Sequence, residues 1–200
     1  MAARRATIAD IDAVVATLVE AHRDYVWEMW AVLGPDRDAK LDRIYRTDLE
    51  LAALPGGDVW VHDDGAAAAV WQRPDPAPLD ADVQTRLDRL ARDVLGDRGA
   101  VVREVEEIIA EHRPAGPHWY LGTMGTLPSR RREGCGTAVL RPVLDQLDAT
   151  GELAYLETSA PGNVEFYARL GFEVAAVLED LPHGAPHTWC MHRLPKGRLI

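Results

Sequence analysis

A single domain of mixed α/β type, its sheet of about six or seven strands mainly antiparallel and flanked by helices, follows from three features of the sequence. Short runs rich in β-branched and aromatic residues alternate with longer stretches whose apolar residues recur at helical spacing. Two apolar strand-like runs each pass through a glycine-marked turn into such a helical stretch, which is a strand–turn–helix unit used twice. Two further pairs of strand-like runs, one near the middle and one near the end, are joined as antiparallel hairpins. With 200 residues and 47% hydrophobic content, the chain can bury a substantial core.

Arg4 to Ile8 predicts a first strand, after which Ile11, Val14, Val15, Leu18 and Val19 share one face of a helix running to about Tyr25. Gly34-Pro35 breaks the chain before a second helix, whose Leu41, Ile44, Tyr45, Leu49 and Ala52 repeat on one side until Pro55-Gly56-Gly57 ends it. Asp58 to His62 and Ala66 to Gln72 then pair as a hairpin across Asp63-Asp64-Gly65. Beyond a loop containing Pro74, Pro76 and Pro78, Leu79 to Leu95 and Val101 to His112 read as helices parted by Gly96 and Gly99. Trp119 to Thr126 is a strand closed by Pro128, and Ala138, Leu140, Val143, Leu144 and Leu147 mark the helix that follows. Leu153 to Thr158 reads as a buried strand broken by Pro161-Gly162. Asn163 is placed to cap a short helix from Val164 to Leu170, which Gly171 stops in a left-handed conformation. Phe172 to Leu178 and Thr188 to Arg193 form the last hairpin.

Composition excludes several classes. A formal charge of −10 argues against nucleic acid as a partner, because phosphate binding draws on excess lysine and arginine. No apolar run approaches the roughly 18 residues of a membrane helix, and Met1-Ala2-Ala3-Arg4-Arg5 lacks a signal peptide's apolar segment, so a cytoplasmic protein is expected. Cys135 and Cys190 are the only cysteines, which implies no disulfide framework. The seven histidines show no pair at helical ligand spacing within a recognisable helix, so no metal is expected. Neither Ser129 nor Ser159 lies in G-x-S-x-G, which removes the usual serine hydrolase motif. Monomer and homodimer both stay open.

The chemistry concentrates in Arg131-Arg132-Glu133-Gly134-Cys135-Gly136-Thr137, set between a strand and a helix. Glycines let backbone N–H groups approach an anion closely, the helix adds its positive N-terminal end, and the arginines add mobile cations. No Gly-Lys-Ser or Gly-Lys-Thr follows to reach terminal phosphates and magnesium, and the third glycine of a dinucleotide fingerprint is missing. A phosphate-bearing coenzyme without those demands remains.

Together, L-P-x-x-R-R-x-G-x-G-T-A-V-L (127–140) and Y-L-E-T-S-x-x-x-N-x-x-F-Y-x-R-L-G-F (155–172) resemble the GNAT superfamily of coenzyme A dependent N-acetyltransferases. The resemblance implies that residues Arg131, Arg132, Glu133, Gly134, Cys135, Gly136 and Thr137 receive the pyrophosphate of acetyl-coenzyme A. It implies two splayed strands, with Leu121, Met124, Gly125 and Thr126 lining the pantetheine arm, and a coenzyme contact from Asn163. Tyr167 would sit by the sulfur as proton donor, its ordinary pKa of about 10 keeping it protonated at neutral pH. The implied reaction is acetyl transfer to a primary amine of a small molecule such as an aminonucleoside. Acetylation of another amine or of a protein, or coenzyme binding without turnover, stays open.

Glu157 ends the strand beside the coenzyme, where it either binds the acceptor's ammonium and accepts its proton or simply bonds nearby backbone. Tyr25, Trp27, Trp30 and Tyr45 offer flat walls for a ring-bearing acceptor, and core packing is their alternative use. An α-amine of pKa about 8 loses its proton at pH 7 for about 1.4 kcal/mol, whereas a lysine-like amine near 10.4 costs about 4.6 kcal/mol.

Overall fold

The computed structural model describes residues 2–194. Its strands are β1 (Ala3–Arg5), β2 (Asp58–His62), β3 (Ala67–Gln72), β4 (Trp119–Thr126), β5 (Ala154–Thr158), β6 (Glu173–Leu178) and β7 (Thr188–Arg193). They make one seven-stranded sheet in the order β1-β2-β3-β4-β5-β7-β6. All neighbours run antiparallel except β4 and β5, which are parallel. A parallel pair needs a crossover, and the helix between β4 and β5 supplies it.

The helices are α1 (Ile11–His22), α2 (Val26–Ala31), α3 (Arg37–Asp48), the single turn α4 (Leu54–Gly56), α5 (Ala81–Leu95), α6 (Arg98–Ala110), α7 (Cys135–Thr150) and α8 (Pro161–Ala168). They cover both faces of the sheet, and strand periodicity shows how. In β3, Ala67, Ala69 and Trp71 pack with Val139, Leu140, Val143, Leu144 and Leu147 of α7. The alternate residues Ala68 and Val70 join Val59 and Val61 of β2 against Val14, Val15 and Leu18 of α1 and Leu41 and Tyr45 of α3. Ala66 to Ala69 are completely buried, and their small side chains let the helices of both layers lie close. No helix among the described residues is long and apolar enough to cross a membrane.

Several boundaries differ from the sequence expectation. The first strand ends at Arg5 rather than Ile8, which opens the 3-10 turn Ile8–Asp10. The first helix stops at His22, because Tyr25 turns to extended backbone (φ −75, ψ 131) and opens the separate six-residue helix α2. The helix expected to reach Pro55 is α-helical only to Asp48 and continues as a π-helical segment, Leu49–Ala53. Pro161-Gly162 is the entrance of α8 rather than a break before it, since proline's fixed φ and missing N–H suit the first helical turn. Ala160 occupies the cap position, so Asn163 is not a cap.

The pairing of β4 with β5 is short. It covers only Trp119↔Ala154, Tyr120↔Tyr155 and Leu121↔Leu156, while β4 stays paired with β3 up to Thr126 and β5 with β7 up to Thr158. The two central strands therefore splay apart beyond Leu121 and Leu156. On β4, α1 fixes the position of the diverging arm through Gly125, where a Cβ would lie 2.8 Å from Ala21 Cβ and 3.1 Å from Leu18 Cδ2.

Gly125→Ala should therefore lower stability by about 1–3 kcal/mol, since the 2.8 Å contact with Ala21 Cβ cannot yield without moving α1. Denaturant unfolding checks this as a lower midpoint at unchanged slope. An unchanged midpoint would show that α1 is not pressed against β4.

Candidate active site

The splay opens a cleft of about 820 Å³ between β4 and α8, lined by Met124, Gly125 and Thr126 on one side and Gly162, Asn163, Phe166 and Tyr167 on the other. At its mouth, Leu127 leads through the 3-10 turn Pro128–Arg130 into α7. Gly134 caps α7 in a left-handed conformation (φ 85) with no side-chain hydrogen bond, so the first N–H groups of the helix, at Cys135, Gly136 and Thr137, keep no intrahelical partner. Gly136 and Thr137 line the cleft, with the exposed Arg131 and Arg132 beside them. Arg132 is itself left-handed (φ 67), a conformation that costs a non-glycine residue roughly 1–3 kcal/mol. A loop held in this shape, donors unpaired and cations adjacent, matches the demands of a diphosphate.

Other members of the loop face elsewhere. Arg130 bonds Glu133 Oε2 and Asp64 Oδ2, each at 2.7 Å, and so ties the loop to the β2–β3 turn. Glu133 is engaged in that bridge and does not line the cleft. The Cys135 side chain is buried in the core under the sheet, which leaves only its backbone toward the opening. Leu121 likewise turns its side chain into the core at the last rung of the parallel pairing.

A second cleft of about 650 Å³ lies on the opposite side of the splay, between α2, α3, α6 and the ends of β4 and β5. Tyr25, Trp27, Glu28, Tyr45, Tyr120 and Glu157 are among its walls. Trp30 is not: its indole donates to the His183 carbonyl at 3.1 Å and Arg98 stacks on its ring. The two clefts share His22, Tyr25, Met124, Asn163 and Tyr167, so they meet at those five residues.

Hydrogen bonds fix this junction. Asn163 Nδ2 donates to Thr158 Oγ1 at 3.0 Å, which also lies 3.0 Å from the Tyr25 hydroxyl, and Ser159 N–H donates to that hydroxyl at 2.6 Å. Thus the residue expected as a helix cap instead braces the end of β5. Burial holds the Tyr167 and Tyr25 phenols above their ordinary pKa, and holds His22 below its own. His22 Nδ1 lies 2.9 Å from the Leu18 carbonyl, an acceptor, so that nitrogen carries the proton. The junction is a set of neutral groups.

Two carboxylates of the second cleft differ sharply. Glu157 Oε1 accepts from Arg113 Nε at 2.9 Å, and Arg113 stacks on the Tyr120 ring 4.4 Å away. Glu28, from α2, accepts from the Tyr45 hydroxyl at 3.1 Å through Oε1, while Oε2 is buried without a partner. Burial pushes the Glu28 carboxyl up to about 7. Sequence reasoning missed this residue because α2 was not foreseen. The available signal was a lone acid among Val26, Trp27, Met29, Trp30 and Ala31.

Comparison with known proteins agrees with this architecture. A sequence model described as the acetyltransferase (GNAT) family matches residues 59–172. A Corynebacterium glutamicum structure described as histone acetyltransferase HPA2 and related acetyltransferase is 26% identical, with a TM-score of 0.75 and 100% of both chains covered. The Drosophila melanogaster polyamine N-acetyltransferase shares the fold at 15% identity and TM-score 0.62, over 96% of this chain and 98% of its own. A mosquito arylalkylamine N-acetyltransferase-like protein does so at 12% and 0.63, with the same coverage of both chains.

The raised Glu28 carboxyl is a stability statement. Its folded pKa of about 7 exceeds the ordinary 4.5, so the folded state holds the extra proton, and stability is lost as pH rises through this window. Glu28→Gln should therefore be more stable than the natural chain by about 2–3 kcal/mol at pH 8 and much less so at pH 5. Paired unfolding curves check this. An equal difference at both pH values would mean that the carboxyl titrates normally.

Proposed function

The chain belongs to the acetyltransferase (GNAT) family, and from that premise we propose that it moves the acetyl group of acetyl-coenzyme A directly onto a primary amine of a small molecule, an aminonucleoside of the puromycin type. The observation that carries this reading is the meeting of two clefts at Tyr167. One is shaped for a phosphate-bearing, strand-like arm and the other is walled by aromatic rings and carboxylates. A thioester threaded along the free edge of Gly122 to Thr126 pairs with backbone as a strand would, and its diphosphate lies at the start of α7. Its acyl carbon then reaches the junction, where an amine entering from the second cleft attacks.

Tyr167 is the proposed acid. Its buried phenol keeps its proton until a thiolate forms beside it, then donates to the departing sulfur. Phe166, Met124 and Tyr25 line the cleft beside Tyr167. The aminonucleoside preference is supported by a likeness to puromycin N-acetyltransferase in residues 59–66, Val70-Trp71, His112-Arg113-Pro114, residues 156–161 and Thr188-Trp189-Cys190-Met191. Much of this likeness surrounds the second cleft, where Arg113, Glu157 and Thr188 are lining residues. It is weakest over residues 25–50, the segment that supplies Trp27, Glu28 and Tyr45 to the acceptor wall.

Free thiol is followed on mixing the protein with acetyl-coenzyme A and puromycin, phenylethylamine or agmatine. Thiol release that requires puromycin is the expected outcome; tight coenzyme binding without amine-dependent release would leave a coenzyme sensor. Tyr167→Phe should lower turnover by about 10²-fold with coenzyme affinity unchanged. Full turnover in that variant, under conditions where chemistry limits the rate, removes the acid role.

A further inference from the structure

Acidic side chains line the acceptor cleft from three elements, yet their situations are unlike. Glu157 is held by Arg113, and that cation is in turn fixed on Tyr120. Glu106 and Glu107 stand on α6 with Arg103 nearby. Among the described residues, no lysine, arginine or histidine lies within ion-pair distance of Glu28; the neutral donors to its carboxylate are the Tyr45 hydroxyl and the residue's own backbone N–H, and its buried Oε2 lacks a well-formed hydrogen bond. A buried acceptor oxygen left unpaired is destabilising, which makes Oε2 a candidate for a ligand's donor. Its surroundings suit a cation: Trp27, Tyr25 and Tyr45 are rings of the same cleft, and aromatic faces attract ammonium.

We propose that Glu28 is the seat of the acceptor's ammonium and the base that removes its proton, with Tyr45 as the positioning residue that holds the carboxylate in place. This rests on the acyl-transfer reading above. The ammonium gives one N–H proton to Glu28, which passes it to solvent, and the neutral nitrogen forms the new C–N bond at the thioester carbon. The C–S bond breaks as Tyr167 protonates the sulfur, and the second proton, shed by the nitrogen now bonded to the acyl carbon, restores Tyr167. One proton is released for each acetyl group moved.

The titration fits this role. Burial pushes Glu28 up to about 7, within reach of an α-amine near 8 but far below an alkylamine near 10.4, so the seat favours weakly basic amines. The groups facing it are Tyr25 and Tyr45, with neutral His22 behind the rings. Across the cleft stand Arg103, Glu106, Glu107, Arg113, Tyr120 and Glu157. Glu157 shares its cleft but already has its cation.

The test compares the pH dependence of kcat/KM for puromycin in the natural chain, Glu28→Gln, Glu28→Asp and Glu157→Gln, with coenzyme A affinity measured by calorimetry to check each fold. A rising limb centred near pH 7 is expected in the natural chain. In Glu28→Gln kcat/KM at pH 7 should fall by about 10²-fold, the limb should move toward the amine's own pKa, and Glu28→Asp should recover part of the loss. Glu157→Gln should keep the limb. A Glu28→Gln variant within threefold of the natural chain and with the same limb, or loss of the limb in Glu157→Gln instead, overturns the assignment.

Should Glu28→Gln fail to bind coenzyme, Tyr45→Phe decides. Losing its donor raises the Glu28 pKa and shifts the limb upward, and an unmoved limb counts against the seat. A natural chain that acetylates none of the three amines defeats the acyl-transfer reading, and calorimetry with puromycin then judges Glu28 separately. Binding weakened at least tenfold by Glu28→Gln supports the seat; equal or absent binding overturns it.

Discussion

The parting of β4 from β5 is the constraint on which the rest depends. Two parallel strands share three rungs and then separate, although each continues to pair on its outer side. The backbone groups along the inner edge of Gly122 to Thr126 are thereby left without a sheet partner in the middle of the molecule. Such groups are costly unless water or a ligand meets them, so an opening of this kind is sustained by what surrounds it. Here α1 presses on β4 at Gly125, where only a glycine fits, and the Asn163–Thr158–Tyr25 bonds brace the end of β5 from the other side.

Chain topology then delivers the chemistry to that opening. Because β4 and β5 are parallel, the connection between them must cross over, and α7 is that crossover. Its N-terminus follows directly from the end of β4, so the unpaired amides of the helix face the same gap as the unpaired edge of the strand. The strand–turn–helix unit is repeated after β5, and α8 brings Tyr167 to the other bank. Desolvation acts at the junction in one direction: it favours the neutral form of His22, Tyr25, Tyr167 and Glu28 alike. At the second cleft's wall, by contrast, Arg113 sets a fixed counter-charge beside Glu157.

Most of the sheet could be read from local pattern. Alternation in Asp58 to His62, a glycine-bearing turn, and the aromatic run Trp119 to Thr126 each place a strand without reference to anything distant. The loop before α7 was equally legible, since paired glycines before an apolar helical stretch have a local explanation. What failed was short or cooperative structure. The six residues of α2 are too few for periodicity to register, and so Glu28 passed unnoticed. Asn163 looked like a cap by position, yet Pro161 begins the helix and frees the amide for Thr158.

From the sequence alone came the element order, the anion-shaped turn and the pair of motifs shared with the family, because each is encoded by neighbouring residues acting over one or two turns. The tertiary structure alone decided which carboxylate has a cation and which has none, which tryptophan of Trp27 and Trp30 faces the cleft, and that two clefts meet around Tyr25 and Tyr167. Those outcomes depend on contacts such as Arg113 with Glu157 and Tyr45 with Glu28. Desolvation and charge pairing are set by what surrounds a group in space, and that enclosure exists only once distant segments have packed together.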